Sequence, residues 1–359
     1  MPRLPPSLFW TARKQISPFA PLLLPVCRTL DSTANELRWI KEHVNSTPSP
    51  VPRKLRIWQD CLKRGERGMP LQYILGTQPF GPLEILCRPG VLIPRPETES
   101  IITHLTTLLP PTPTLKILDL CTGTGCIPLL LSSLLPPTTK AQTTGIDISP
   151  LAISLSRQNL LHNISLSHLP PSTSQQQQIT FTQSDIFSPL FLPSLPYSPG
   201  ELDILVSNPP YISPHGFNTT TERSVRLFEP KLALVPDAAS LSWSKGYSCR
   251  PEDVFYARLL EIAGVLQPKR VLFEVGDLDQ AARVAEMVVR GGGEGEGGGG
   301  GGGERELKAY AGTVEIWRDD PDVESEGEKE SVWVDGGKVR VGVKGRGNGR
   351  GVYFWRKDQ

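Results

Sequence analysis

From Leu115 onward the chain repeats a pattern that few folds can hold. Short runs, most of them apolar on both faces, alternate with longer helical stretches. The runs are "LKILDL" (115–120), "TTGIDIS" (143–149), "ITFTQSD" (179–185), "LDILVSN" (202–208) and "RVLFEVG" (270–276). Ile127 to Leu135 reads as an apolar helix and Pro150 to Leu161 as the next one. A strand that is apolar on both faces must be covered on both faces, and strands joined through helices run parallel. The fold class that follows is α/β, a mostly parallel sheet between helices. "GTVEIW" (312–317) and "GVYFW" (351–355) add two strands near the C-terminus. The acidic run Asp319–Glu330 and the basic stretch Lys338–Arg350 between them read as one long, largely solvated loop.

Upstream the pattern is different. In "TANELRWIKEHV" (33–44), Leu37, Ile40 and Val44 recur at helical spacing behind a Ser32/Thr33 start signal. A second helical piece covers about Leu55 to Lys63. The 359 residues suit two domains, a small helical one over 31–80 and a larger one over 81–359. Residues 90–100, "GVLIPRPETES", read as a strand, a rigid turn and a helix start. Residues 1–30 carry Arg3, Arg13, Lys14 and Arg28 and no acid, the composition of a mitochondrial targeting segment that would direct the chain to the matrix. A disordered, accidentally basic tail has the same composition. The apolar run Phe19–Val26 is broken by Pro21 and Pro25 and is too short to span a bilayer, so no membrane partner is expected. Residues 291–303 hold eleven glycines and two glutamates, which bury no core and read as a flexible insert; Gln175–Gln178 form a second low-complexity patch.

The net charge of +1 gives no general argument for a nucleic-acid partner. None of the six cysteines forms a C-x-x-C and no histidine cluster accompanies them, so free thiols in a reducing compartment are expected and no metal. Nothing in the sequence sets the oligomeric state, and a monomer is the working expectation.

Two turns carry the chemistry. "DLCTGTG" (119–125) joins the first strand of the repeat to its helix, where glycines let a ligand approach backbone and helix N–H groups. It is neither a G-x-G-x-x-G nor a phosphate loop with its lysine, and a plain tight turn would look the same. The second strand ends at Asp147, 22 residues after Gly125, where a carboxylate can accept hydrogen bonds from both hydroxyls of a ribose. Asp147 could also be a helix N-cap. A nucleoside ligand without pyrophosphate suits both turns, and S-adenosylmethionine is one. Asp119 would then lie near its ammonium group, and Asp185 with Ile186 would cap its adenine.

The other turn is "SNPPYI" (207–212), which stops a good buried strand with two prolines. An amide or exocyclic amine that accepts a methyl group needs both hydrogens held and its lone pair turned to the donor carbon. The Asn208 side-chain carbonyl and the Pro209 backbone carbonyl can accept those hydrogens. Pro210 has no N–H to interfere, and Tyr211 offers a flat face. The chemistry is an in-line methyl displacement dominated by positioning, needing no metal and no strong base.

At these motifs the sequence resembles the HemK/PrmC-type protein glutamine methyltransferases, within the class I S-adenosylmethionine-dependent enzymes. The resemblance covers roughly residues 64–281 and the last strands. It rests on "RGMPLQYILG" (67–76), "LIPRPETE" (92–99), "ILDLCTGTG" (117–125), "GIDIS" (145–149), "SNPPYI" (207–212), "FEPKLAL" (228–234) and "FEVGDLDQA" (273–281). It implies a helical N-terminal substrate-recognition domain and a seven-stranded catalytic domain. It also implies methylation of the glutamine in the Gly-Gly-Gln motif of a peptide-chain release factor, here a mitochondrial one. By the same resemblance, Cys121, Thr122, Gly123, Thr124, Gly125 and Asp147 would hold the cofactor. Asn208, Pro209, Pro210 and Tyr211 would hold the glutamine, with Asn208 also near the cofactor methyl, and Arg95 and Glu97 would shape the entrance. The chain departs from the family at Cys121, where glycine is usual, and in enlarged segments around 170–178, 240–251, the glycine tract and the stretch after Trp317. The competing readings are an adenine-N6 or other nucleic-acid methyltransferase, which also uses NPPY, and a catalytically silent binding protein. The second should have lost Asn208 or the glycine loop, and both are present.

Overall fold

The computed structural model describes residues 3–170, 177–243, 249–291, 307–323 and 330–357. Gln175 and Gln176, residues 292–303 of the glycine tract and residues 324–329 of the acidic run lie outside the described residues. The chain divides into two compact units, Met1–Gln78 with Cys87–Ile93 and Thr221–Glu229, and Pro79–Leu86 with Pro94–Thr220 and Pro230–Gln359.

The first unit is helical. It contains α1 (Pro6–Gln15), α2 (Ala20–Cys27), α3 (Leu30–Ser46), α4 (Arg53–Gly65) and α5 (Leu71–Leu75). The α3 helix starts three residues before its expected position because the Thr29 side chain caps it, accepting from the Ser32 N–H at 3.2 Å. Its Leu37, Ile40 and Val44 are buried as their spacing demands, together with Ala12, Ala20, Leu23, Leu24, Cys61 and Leu71. The residues read as a targeting segment thus supply Ala12, Ala20, Leu23 and Leu24 to this core. Arg64 of α4 grips Glu36 of α3 with two parallel N–H···O bonds of 2.8 Å.

Residues 90–93 form no strand, contrary to the sequence reading. The Ile93 N–H is taken by the Glu229 carboxylate (3.1 Å) and the Val91 carbonyl by the Tyr73 hydroxyl (2.7 Å). With those groups engaged by side chains and two prolines following, no ladder can form.

The chain goes on into a hairpin that the sequence reading missed, β1 (Thr77–Phe80) and β2 (Leu83–Leu86). Then follow α6 (Pro96–Thr107), β3 (Thr114–Leu120), α7 (Cys126–Leu134), β4 (Lys140–Asp147), α8 (Pro150–Ser165) and β5 (Gln177–Gln183). Next come α9 (Phe191–Ser194), β6 (Ile204–Ser207), α10 (Pro214–Thr219), α11 (Arg223–Phe228, part of the first unit) and α12 (Ala238–Trp243). The chain continues through α13 (Val254–Leu266), β7 (Arg270–Glu274), α14 (Leu278–Arg290), β8 (Glu315–Asp320), β9 (Ser331–Val334), β10 (Val339–Lys344) and β11 (Arg346–Trp355).

The sheet order is β5-β4-β3-β6-β7-β11-β8-β10-β9. The first five strands are parallel, and β11 runs antiparallel to both β7 and β8. Successive residues of the central strands point to opposite cores. Leu118, Leu205, Val271 and Phe273 join Tyr256, Leu259 and Ile262 of α13. Ile117, Ile204, Val206 and Leu272 join Ile102, Leu129 and Leu130 of α6 and α7. Strand order reverses between β3 and β6, so the turns that follow these two strands lie side by side at the carboxyl edge, where open α/β sheets bind ligands.

Among the described residues the sheet has nine strands, not seven, because part of the stretch read as a loop is β9 and β10. In "VRVGVK" Val341 and Val343 are buried while the residues between them face solvent. The Lys344–Glu315 (2.9 Å) and Arg318–Glu330 (2.7 Å) pairs neutralise charges that made this segment look solvated.

Candidate active site

Strand β3 carries Asp119 to the carboxyl edge of the sheet and buries it completely. Among the described residues neither of its carboxylate oxygens has a hydrogen-bond partner. Burial pushes its pKa up to about 8, and the charge of Asp147 adds to the rise. The Thr122 hydroxyl offsets part of this without reaching hydrogen-bond geometry.

The turn after β3 is pinned to the end of β4. Thr122 N–H donates to the Ile146 carbonyl (2.9 Å) and Gly123 N–H to Asp147 Oδ2 (2.9 Å). Gly125 turns the chain into α7 at φ +78°, and a Cβ there would lie 2.9 Å from Phe181 and Ser156. The Thr124 carbonyl is held from behind by Asn159 of α8 (2.9 Å), a fully buried residue that also anchors β2 through the Leu86 N–H (2.6 Å). At Gly123 a Cβ would meet nothing within 4 Å, so the turn opens toward free space there. Cys121, the departure from family glycine, sits at φ +63°, a conformation that favours glycine. Burial, and then the Asp147 and Asp119 carboxylates, push its thiol well up from the usual range.

Asp147 ends β4 and accepts from Ser149 N–H through Oδ1 (2.8 Å) and from Gly123 N–H through Oδ2. The α8 cap is Ser149, which accepts from Ala152 N–H (3.3 Å), so the N-cap alternative for Asp147 falls away. Burial raises the Asp147 pKa, and the neighbouring backbone N–H groups draw it back. Asp185 and Ile186 lie just beyond β5 rather than within it. Asp185 accepts from Phe187 N–H (2.9 Å), and the buried Ile186 is fixed through its carbonyl by Arg258 Nε (2.7 Å). An ammonium group facing Asp119 and vicinal hydroxyls facing Asp147 match these carboxylates in charge and hydrogen-bonding sense.

The NPPY turn leaves β6 beside this loop. Ser207 Oγ donates to the Leu120 carbonyl (2.7 Å), tying the ends of β6 and β3 together. Pro209 and Pro210 are buried, and Asn208 and Tyr211 are half-buried. Asn208 Nδ2 donates to Thr98 Oγ1 (3.4 Å), and Thr98 Oγ1 donates to Glu274 Oε2 (2.6 Å). Tyr211 hydroxyl donates to the other oxygen of Glu274 (3.4 Å). The Tyr211 carbonyl accepts from Gln280 Nε2 (3.3 Å), whose Oε1 accepts from Gly276 N–H (2.8 Å). A Cβ at Gly276 would come within 3.1 Å of the Tyr211 ring, which favours a glycine at this close approach.

Glu274 is buried at the end of β7, and burial raises its pKa to about 7. Thr98, Arg350 and Arg95 lower it, whereas Glu97 raises it, so the charges of Arg95 and Glu97 are felt at the carboxylate that the NPPY turn's Tyr211 contacts. Burial and the Glu274 charge push the Tyr211 hydroxyl up. All the residues singled out in the sequence therefore gather at the carboxyl ends of β3, β4, β5 and β6 and the start of α6. Thr98, Glu274, Gln280, Asn159 and Arg350 were missed as individuals. The first three stand inside the motifs "IPRPETE" and "FEVGDLDQA", so a signal was there without an assigned role.

Among the described residues no group of three His, Cys, Asp or Glu side chains is placed to hold a metal ion. No protein-family model matches the chain. It is 38% identical over 287 residues to the mitochondrial MRF1 N(5)-glutamine methyltransferase MTQ1 of Saccharomyces cerevisiae, covering 78% of each chain. It is 32% identical over 281 residues to the probable MRF1 mitochondrial N(5)-glutamine methyltransferase mtq1 of Schizosaccharomyces pombe, covering 74% of this chain and 84% of that one. The release factor glutamine methyltransferase of Geobacter sulfurreducens is 33% identical over 192 residues, 54% of this chain and 59% of its own. Among solved structures, the human methyltransferase 10 domain containing protein aligns over 75% of this chain and 86% of its own, at TM-score 0.41 and 15% identity. With 38% identity maintained over 78% of its length, the chain belongs to the release factor glutamine methyltransferase family.

Proposed function

We propose that this enzyme uses S-adenosylmethionine to methylate the side-chain amide of the glutamine in the Gly-Gly-Gln motif of a mitochondrial peptide-chain release factor. The observation that carries the reading is the Asn208-Pro209-Pro210-Tyr211 turn, standing beside a loop whose buried Asp119 has two unpartnered oxygens. The cofactor supplies an electrophilic methyl group on a sulfonium. Asp119 would hold its ammonium, Asp147 its ribose hydroxyls, Asp185 and Ile186 its adenine, and the loop from Cys121 to Gly125 would supply backbone groups to it. Asn208 Oδ1 and the Pro209 carbonyl each accept one hydrogen of the substrate amide, and Tyr211 packs against its plane. Held this way, the amide nitrogen faces the methyl carbon. With the cofactor bound, that nitrogen would take the methyl group, the electron pair of the broken C–S bond staying on sulfur, and would release one proton to water. Arg95 and Glu97 border the entrance. Positioning of this kind accounts for most of such a rate enhancement. The names of the two yeast relatives and the basic residues Arg3, Arg13 and Lys14 support a mitochondrial location, in the matrix.

The test uses the full chain, because α1 and α2 contribute to the first unit's core. Incubation with S-adenosylmethionine and a mitochondrial release factor should add one methyl group at that glutamine, read by peptide mass spectrometry. A release factor with glutamate in its place should stay unmodified, since a carboxylate offers no amide nitrogen. Methyl transfer to DNA or RNA with none to the release factor would refute the proposal.

A further inference from the structure

We propose that Glu274, acting through Thr98, is a positioning residue that sets which way round the Asn208 side-chain amide sits. The inference rests on the reading of Asn208 as acceptor of a substrate N–H. An asparagine amide is nearly symmetric in shape, yet turning it over exchanges a hydrogen-bond acceptor for a donor. One orientation offers Oδ1 to an incoming amide hydrogen. The other offers an NH₂ group that repels it. Nothing within Asn208 selects between them.

Its neighbours do. Thr98 and Glu274 are both buried to within 2% of full enclosure, and their oxygens lie 2.6 Å apart, the separation of a hydroxyl bound to a carboxylate. An ionised carboxylate has no proton to give, so the single Thr98 hydroxyl proton must go to Glu274. That leaves Thr98 Oγ1 with lone pairs only, and the Asn208 atom facing it has to be Nδ2. The proton order then runs one way, from Asn208 Nδ2 to Thr98 Oγ1 to Glu274 Oε2, and Oδ1 is left on the side away from Thr98. The second Glu274 oxygen accepts from the Tyr211 hydroxyl, so one carboxylate orders both ends of the turn. The two outer contacts, at 3.4 Å, are long, as active-site hydrogen bonds often are before substrate closes on them.

Protonation of Glu274 reverses the order. A neutral Glu274 can donate to Thr98, whose own proton is then free for Asn208 Oδ1, and the amide turns over. The charged and titratable groups facing Glu274 are Arg350 from β11, Arg95 and Glu97 from the start of α6, and the hydroxyls of Tyr211 and Tyr256. The two arginines favour the carboxylate, whereas burial and Glu97 oppose it, and the balance lies at about pH 7.

The experiment measures kcat and KM against pH with saturating S-adenosylmethionine and the release factor, for the parent, Thr98→Val, Thr98→Ser and Glu274→Gln. Thr98→Val should lower kcat roughly ten- to a hundredfold, as a small misplacement does in a positioned site, with little change in KM. Thr98→Ser, which keeps the hydroxyl, should restore it. The parent's kcat should fall as pH drops below about 7, and Glu274→Gln should show a low rate without that limb. A parent-like kcat for Thr98→Val, or the same acidic limb in Glu274→Gln, overturns the inference. An activity-independent readout is the NMR shift of the Asn208 side-chain NH₂. It should titrate near pH 7 in the parent and not in Glu274→Gln; no titration in the parent overturns the inference equally. A parent that leaves the release factor unmethylated refutes the proposed function alone, and the NMR titration still decides on Glu274.

Discussion

Replacing Asp119 by asparagine should change proton release, affinity and stability together. Among the described residues the Asp119 carboxyl is fully buried without a hydrogen-bond partner, and burial places its pKa at about 8. At pH 7 it is therefore about nine-tenths protonated, and ionising it costs about 1.4 kcal/mol. An ammonium group needs the carboxylate, so cofactor binding at pH 7 should release about 0.9 proton from this group. Affinity should rise by up to tenfold per pH unit between pH 6 and 7. Titration calorimetry in two buffers of different ionisation enthalpy counts that proton. Asp119→Asn should release close to none and should bind roughly ten- to a hundredfold more weakly at pH 8, the loss of a charge-assisted bond of about 1.5–3 kcal/mol. Stability should move the other way. Because the folded pKa lies above the unfolded value of 3.8, the carboxyl's proton-linked stability is full below pH 3.8 and is lost as pH rises toward 8. That loss amounts to at most about 6 kcal/mol. Near pH 8 without cofactor the asparagine variant should thus melt no lower than the parent, and with saturating cofactor it should melt lower. Equal proton release in both proteins, or a ligand-free variant that melts lower at pH 8, would refute the reasoning.

Asn208→Ala should reduce turnover by a factor on the order of 10²–10³ with little change in melting temperature, since the side chain is half-buried and makes one long hydrogen bond. Parent-rate methylation by that variant would remove Asn208 from the acceptor site. Cys121→Gly should raise stability by about 1 kcal/mol, read by denaturant unfolding, because the φ of +63° strains any side chain. A less stable glycine variant would contradict that strain. Val341→Asp should lower stability by more than about 2 kcal/mol, as an unpaired charge in a packed strand does. An unchanged unfolding midpoint would return that segment to a solvated loop.

The elements legible from sequence were those whose signal is local. Leu37, Ile40 and Val44 announce α3 by spacing alone, and the two-sided apolar runs announce β3, β4, β6 and β7, because a helix or strand displays its period in consecutive residues. The β9–β10 pair was not legible. Its valines alternate with arginine, glycine and lysine, a pattern equally suited to solvent, and only the neighbouring strands and the apolar cluster that includes Val284 and Val288 of α14 give those valines something to bury against. The strand expected at 90–93 failed for the converse reason. Its residues suit a strand, but Glu229 and Tyr73 take the backbone groups a ladder would need.

By itself the sequence determined the sheet class, the glycine turn after β3, the acid at the end of β4 and the Asn-Pro-Pro-Tyr turn, since each is written in a few adjacent residues. What only the tertiary structure decided is how those pieces are held. Thr98 and Glu274 are 176 residues apart in the chain, and Asn208 and Thr98 are 110 apart, yet the three form one hydrogen-bonded row. Asn159 reaches back 35 residues to brace Thr124. A buried hydrogen bond depends on which groups the packed sheet brings within hydrogen-bonding distance and shields from water. No local pattern in the chain carries that information, because it exists only once the parallel strands have been set in order.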